Sequence, residues 1–121
     1  MSDLIIKKCE HCGAIVKMIK DEGCDIVCCG EPMKTLIPNS VDAAVEKHVP
    51  VIEIQGDKII VTVNHVMEDE HYIEWVSLES DKKSCTKYFK PGETATTHFK
   101  YIPGSTIYAY CNKHGLWKKE V

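Results

Sequence analysis

From about residue 50 onward the apolar positions fall in short runs separated by turn residues. Candidate strands cover 51–55, 58–64, 71–80, 85–90, 94–102, 106–111 and 116–120. Gly56-Asp57, Asp81-Lys82-Lys83, Pro91-Gly92 and Pro103-Gly104 supply the breaks between them. The run Ile59-Ile60-Val61-Thr62-Val63 is β-branched throughout. Such residues are stiff at χ1 and fit a pleated, buried strand better than a helix. Ile73 and Trp75, two apart on one candidate strand, are expected to share the face turned to the core. Only Val41 to Glu46 reads as a helical turn, and it is short. Seven short strands at this spacing predict a mainly β chain with a sandwich of immunoglobulin type. No internal repeat or low-complexity tract interrupts the pattern.

The first third of the chain has a different character. Residues 1 to about 36 carry five of the seven cysteines and one of the six histidines. The rest carries the other two cysteines and five histidines. Leu36-Ile37-Pro38-Asn39-Ser40 reads as a linker, since proline and asparagine both interrupt regular structure. The expected organisation is a small module over 1–36 and a β-sandwich domain over 37–121. So short a module buries little core and needs a metal to hold it together.

Composition narrows the functions. Of 121 residues, 44% are hydrophobic and 27% charged, which suits a packed core and not disorder. The net charge is −3 and Lys and Glu are interspersed, so nucleic acid is not an expected partner. No apolar run approaches the roughly 18 residues of a membrane span. Leu4-Ile5-Ile6 is too short for a signal-peptide core. A cytoplasmic location is expected. An odd, high cysteine count there points to metal before disulfides.

Cys9-Glu-His-Cys12 is a C-x-x-C knuckle followed by Gly13, and Cys28-Cys29-Gly30 supplies a second pair. Adjacent strand residues point to opposite faces, so Cys28 and Cys29 reach one ion only if the chain bends sharply at Gly30. Four thiolates suit zinc or iron, and spacing does not choose between them. Cys24 is an alternative to Cys28. His11, inside the knuckle, reads as an exposed residue.

His48, His65, His71, Cys111 and His114 form a second set. His65 and His71 would lie about 20 Å apart on an extended strand, at roughly 3.3 Å per residue. Sharing an ion therefore requires 66–70 to loop back. Cys111-Asn112-Lys113-His114-Gly115 reads as a tight turn with two donors. Five donors exceed the four of structural zinc, and an ion that accepts six would keep one position open. His98 and Cys85 read as ordinary strand residues. Tyr101, Tyr108, Tyr110 and Trp117 read as packing aromatics.

Glu46-Lys47-His48-Val49-Pro50, Asn64-His65, His71 and Cys111-Asn112-Lys113-His114 resemble, in order, the iron-site motifs of superoxide reductases. Cys9, Cys12, Cys28 and Cys29 resemble the desulforedoxin-like module of the two-iron members, the desulfoferrodoxins. The resemblance covers essentially the whole chain. It implies two irons per chain: centre I on the four cysteines, and centre II with four equatorial histidines, axial Cys111 and one open position. It implies reduction of superoxide to hydrogen peroxide without oxygen release, re-reduction by a donor such as rubredoxin, and a homodimer. Lys47 would attract the anion, and Glu46 would offer a carboxylate to the oxidised ion. Two other classes compete: a pure electron carrier, and a zinc-stabilised interaction module.

Overall fold

The computed structural model describes residues 4–121; the first three positions of the expected N-terminal module lie outside the described residues. The chain divides into two compact units at Ile37/Pro38.

In the smaller unit, β1 (Ile5–Lys8) pairs antiparallel with β2 (Ile15–Met18), and with β5 (Lys34–Thr35) on its other side. Between them, β3 (Val27–Cys28) and β4 (Glu31–Pro32) form a minimal hairpin. Its two turn residues, Cys29 and Gly30, have φ of 53° and 78°. Positive φ at both central positions is what a type I′ hairpin turn demands. The sharp bend expected at Gly30 therefore begins one residue earlier, with Cys29 itself held left-handed.

The larger unit contains seven strands among the described residues. They are β6 (Val51–Gln55), β7 (Lys58–Thr62), β8 (Ile73–Glu79), β9 (Ser84–Tyr88), β10 (Thr96–Lys100), β11 (Thr106–Cys111) and β12 (Gly115–Glu120). They form two antiparallel sheets, ordered β10-β7-β6 and β12-β11-β8-β9. Ile59 and Val61 of β7 and Phe99 of β10 meet Val76 and Leu78 of β8 and Ile107 and Ala109 of β11 in one core. The period-2 alternation of these residues is what lets each strand line one inner face. The mainly β reading and the sandwich of seven strands are thus observed.

Two local expectations need correcting. Ile73 and Trp75 do not share a face. The β8–β11 register pairs Tyr110 with Trp75 but Cys111 with Ile73, leaving Glu74 as an extra residue. This bulge flips the alternation. Ile73 joins the core, while Trp75 lies on the opposite face and stacks on Tyr110 at 5.7 Å between ring centroids. The helical turn expected at Val41 to Glu46 is instead a 3₁₀ turn over Val45–Lys47. Ala44, extended at φ −65° and ψ 110°, precedes it and offers no side-chain cap.

Asn39 is not a free linker residue. It sits at φ 59°, a conformation asparagine tolerates better than most residues. Its backbone N–H donates to Leu116 O (3.0 Å), and its Oδ1 accepts from the Lys118 N–H (2.9 Å). One residue thereby ties the start of the segment leading to His48 onto the edge of β12.

Candidate metal centres

The expected strands 58–64 and 71–80 are shorter in the structure, ending at Thr62 and starting at Ile73, which leaves both His65 and His71 in the connection between them. His65 follows β7 in irregular chain, its backbone N–H donating to Val63 O at 2.9 Å. His71 closes a tight turn whose two backbone bonds join Glu68 and His71, at 3.0 and 3.2 Å. The loop required to return His71 to His65 is therefore present. His48 ends the 3₁₀ turn, Cys111 ends β11, and His114 occupies the turn into β12.

The four imidazoles close a ring. Centroid separations are 4.7 Å for His48–His65, 4.5 Å for His65–His71, 4.9 Å for His71–His114 and 4.9 Å for His114–His48. Each neighbouring pair is near edge-to-face, with interplanar angles of 69°, 87°, 78° and 84° in the same order. His48 thus stands across from His71, and His65 across from His114. The Cys111 sulfur lies 3.4 Å from His65 Nε2 and 3.9 Å from His114 Nδ1. One donor atom from each of the five residues falls within 4.8 Å of every other.

The donor chemistry fits a metal. Bonds of about 2.0–2.1 Å to nitrogen and about 2.3 Å to sulfur place adjacent donors about 3 Å apart. His48 Nε2 and His114 Nδ1 are 3.0 Å apart. His48 Nδ1 donates to Ala44 O at 2.7 Å, and His65 Nδ1 to Val66 O at 2.5 Å. These bonds fix the tautomer and turn each Nε2 lone pair inward. His71 Nε2 is buried without a hydrogen-bond partner, an omission that a metal ligand explains. Burial, and repulsion from the neighbouring imidazoles, lower the pKa of His48, His65 and His71. These three rings are therefore biased to the neutral form, the one that ligates.

Trp117, read from the sequence only as a packing aromatic, supports the site from beneath. Its ring stacks on His48 at 4.8 Å, and its Nε1–H donates to His114 O at 3.0 Å. Spacing alone could not reveal this, because the two partners are remote from each other in sequence.

In the smaller unit Cys9, Cys12, Cys28 and Cys29 also converge, with all sulfurs within 4.8 Å. Cys12 and Cys28 sulfurs are 3.7 Å apart, and those of Cys28 and Cys29 4.0 Å. A tetrahedron with bonds of about 2.3 Å requires sulfurs about 3.8 Å apart. The Cys12 backbone N–H, above all, holds the Cys9 thiol down at about 6, while Cys12 and Cys9 push Cys28 up to about 12. Sulfurs so crowded ionise together only around a cation.

Other candidate residues lie outside both clusters. Cys24 is exposed and belongs to neither, so it does not replace Cys28. Cys85 packs against the sandwich core, and His98 is exposed on β10. His11 pairs with Glu31 at 3.0 Å. Glu46 and Lys47 are exposed beside His48. Lys47 and His65 share the lining of an open depression of about 530 Å³.

A β-sandwich that closes four imidazoles and one thiolate around a common point is the architecture of a superoxide reductase, and fold and relatives agree that the chain is an enzyme of that class. The solved superoxide reductase of Treponema pallidum superposes with a TM-score of 0.75 at 29% identity, covering 98% of this chain and 99% of that one. The desulfoferrodoxin of Nitratidesulfovibrio vulgaris is 48% identical, over 95% of this chain and 94% of its own length. That of Syntrophotalea carbinolica is 45% identical, over 97% and 96%. The family model for desulfoferrodoxin matches residues 40–120, and that for the desulfoferrodoxin N-terminal domain matches 4–36. The chain belongs to the desulfoferrodoxin family. It is a two-iron protein, with a four-cysteine group for one ion and a four-histidine, one-cysteine group for the other. No helix among the described residues is long and apolar enough to cross a membrane.

Proposed function

We propose that the chain reduces superoxide to hydrogen peroxide at the iron held by His48, His65, His71, His114 and Cys111. Cys9, Cys12, Cys28 and Cys29 hold the second iron. One observation carries the reading: Cys111 is fully buried, whereas His65, His71 and His114 are only partly so. Solvent, and hence a small anion, reaches the imidazole ring and not the sulfur.

One superoxide, one electron and two protons give one hydrogen peroxide, and no dioxygen is released. Ferrous iron held by these residues would supply the electron to the anion, and an external one-electron donor, rubredoxin by family resemblance, would restore the ferrous state. The residues do the rest. The Cys111 thiolate pushes electron density towards the ion from its buried side. The four neutral imidazoles leave the ferrous site one net positive charge. Lys47 adds a cation at the rim, on the depression that His65 lines. Glu93 lines that depression too, and Glu68, Asp69 and Glu70 are exposed nearby in sequence, so the local field is mixed. Glu46 offers a hard carboxylate oxygen to the oxidised ion. Seven unpaired cysteines suit the reducing cytoplasm, where we place the protein, as a homodimer.

The decisive measurement is pulse radiolysis of the reduced protein with iron quantified per chain. A fast bimolecular reaction yielding one peroxide per superoxide, without oxygen, is expected. Oxygen evolution at half that peroxide yield would make the protein a dismutase. A colourless zinc protein would leave only an interaction module.

Lys47 gives a second prediction. Lys47→Ala should slow the reaction with superoxide roughly 3–10-fold at low salt, a modest share of the range steering can reach. It should also flatten the fall of the rate with ionic strength. An unchanged rate and salt slope would remove Lys47 from the mechanism.

A further inference from the structure

Asn112 lies between two donors in sequence, yet its side chain points to a third. Its Nδ2–H donates to Glu70 O at 3.0 Å, and its Oδ1 accepts from the Tyr72 N–H at 3.0 Å. Its own backbone N–H donates to Tyr72 O at 3.3 Å. These partners sit immediately before and immediately after His71. A carbonyl on one side and an N–H on the other fix which way the amide faces. Only an amide of this length gives both bonds: a carboxylate cannot donate, and an aliphatic side chain does neither.

The other rings are oriented differently. His48 and His65 each spend Nδ1 on a carbonyl of their own neighbourhood. The Glu68–His71 turn is tight, but its three acidic residues are exposed and contribute nothing to a core. Just beyond it, the β8 bulge interrupts the pairing with β11 between Ile73 and Trp75. The turn carrying His71 is thus attached to the sandwich past an irregular stretch of ladder. Asn112 bridges that stretch from just past the end of β11.

We propose that Asn112 is a positioning residue that sets His71 against Cys111, so that the thiolate and the histidine loop act on the ion as one unit. This rests on reading His71 and Cys111 as iron ligands. Asn112 touches neither ion nor substrate. Its amide holds the peptide groups flanking His71 at a fixed distance from the strand end that carries the sulfur.

The test uses the full-length, iron-loaded protein with Asn112→Ala, Asn112→Asp and, as a control, His71→Ala. Outer-shell partners of metal ligands are typically worth about 10–100-fold in affinity. Asn112→Ala should lose iron from the histidine site with an affinity lower by about that factor. It should also shift the sulfur-to-iron absorption of the oxidised protein, while absorption of the four-cysteine centre stays as in wild type. Asn112→Asp keeps the acceptor for Tyr72 N–H and loses the donor, so a smaller loss with a shift in the same direction is expected. In the zinc-loaded wild type, a diamagnetic probe, the Tyr72 amide should exchange slowly, and at least about 10-fold faster in Asn112→Ala, whereas Asn112→Asp, which keeps its acceptor, should speed it less.

Wild-type iron affinity and absorption in both variants would overturn the proposal, as would an unprotected Tyr72 amide in wild type. Should Asn112→Ala fail to fold, the aspartate variant and the wild-type exchange measurement still decide. The control separates the two layers. Iron lost in His71→Ala but retained in both Asn112 variants sinks this inference alone. Iron unaffected by His71→Ala sinks the ligand assignment and this inference with it.

Discussion

Cys111→Ser is expected to abolish the reaction with superoxide, by at least about 100-fold, while leaving the sandwich folded. The lower bound follows from scale: residues one step removed from a metal already cost about 10–100-fold when changed. Cys111 is the only sulfur of its cluster, fully buried at the end of β11, 3.4 Å from His65 Nε2. A serine oxygen is smaller and harder, and stays protonated where the thiol ionises, so it returns little electron density to the ion. The fold should tolerate the change. Serine is close in volume, and a buried hydroxyl short of a partner costs about 1–3 kcal/mol on mutational scales. That is less than the 5–15 kcal/mol typical of a domain. Pulse radiolysis of the variant, with circular dichroism and the absorption of the four-cysteine centre as internal controls, checks both halves. A variant reacting within about tenfold of wild type would show that the sulfur is not what drives the electron transfer.

Much of this site is legible in the chain because metal donors are chemically conspicuous. Five nitrogen and sulfur donors in one β-rich segment demand a loop between His65 and His71, and a tight turn over 111–115. Both are present. The strands were readable for a similar reason. Alternating β-branched positions such as Ile59 and Val61 announce an inner face, and both are fully buried. What escaped the sequence is whatever depends on register. A one-residue bulge flips every side chain upstream of it, so the apparent kinship of Ile73 and Trp75 dissolves at Glu74. The supports are hidden likewise. Trp117 beneath His48, Asn39 on the edge of β12 and Asn112 across from Glu70 join positions far apart in the chain, and no local pattern marks them. In the smaller unit the cysteines were visible but the strands were not. Pairs of residues such as Val27–Cys28 are too short to show a period.

That brevity bears on the second large effect. Removing the metal from the four cysteines, by chelator or by Cys9→Ser with Cys28→Ser, is expected to unfold residues 4–36 while the β-sandwich keeps its own core. Among the described residues of the smaller unit only Ile6, Lys7, Cys9 and Met33 are buried. Burying a large apolar side chain yields about 1.5–3 kcal/mol. Ordering the backbone costs about 1–2 kcal/mol for each residue. Two such side chains cannot offset more than thirty ordered residues, and the β3–β4 hairpin adds a single pair of two-residue strands. Metal binding at structural thiolate sites supplies on the order of 10 kcal/mol and is, in such modules, folding free energy. With the ion absent, Cys28, pushed up to about 12 by the neighbouring thiols, takes up a proton, and no thiolate–metal bonds hold the knuckle against the hairpin. Amide exchange in the full chain reads the outcome directly. Ile5–Lys8 and Ile15–Met18 should lose protection on metal removal, whereas Lys58–Thr62 and Thr106–Cys111 should retain it. Protected amides in β1 and β2 of the metal-free chain would mean that the smaller unit folds by packing alone, with the ion serving electron transfer only.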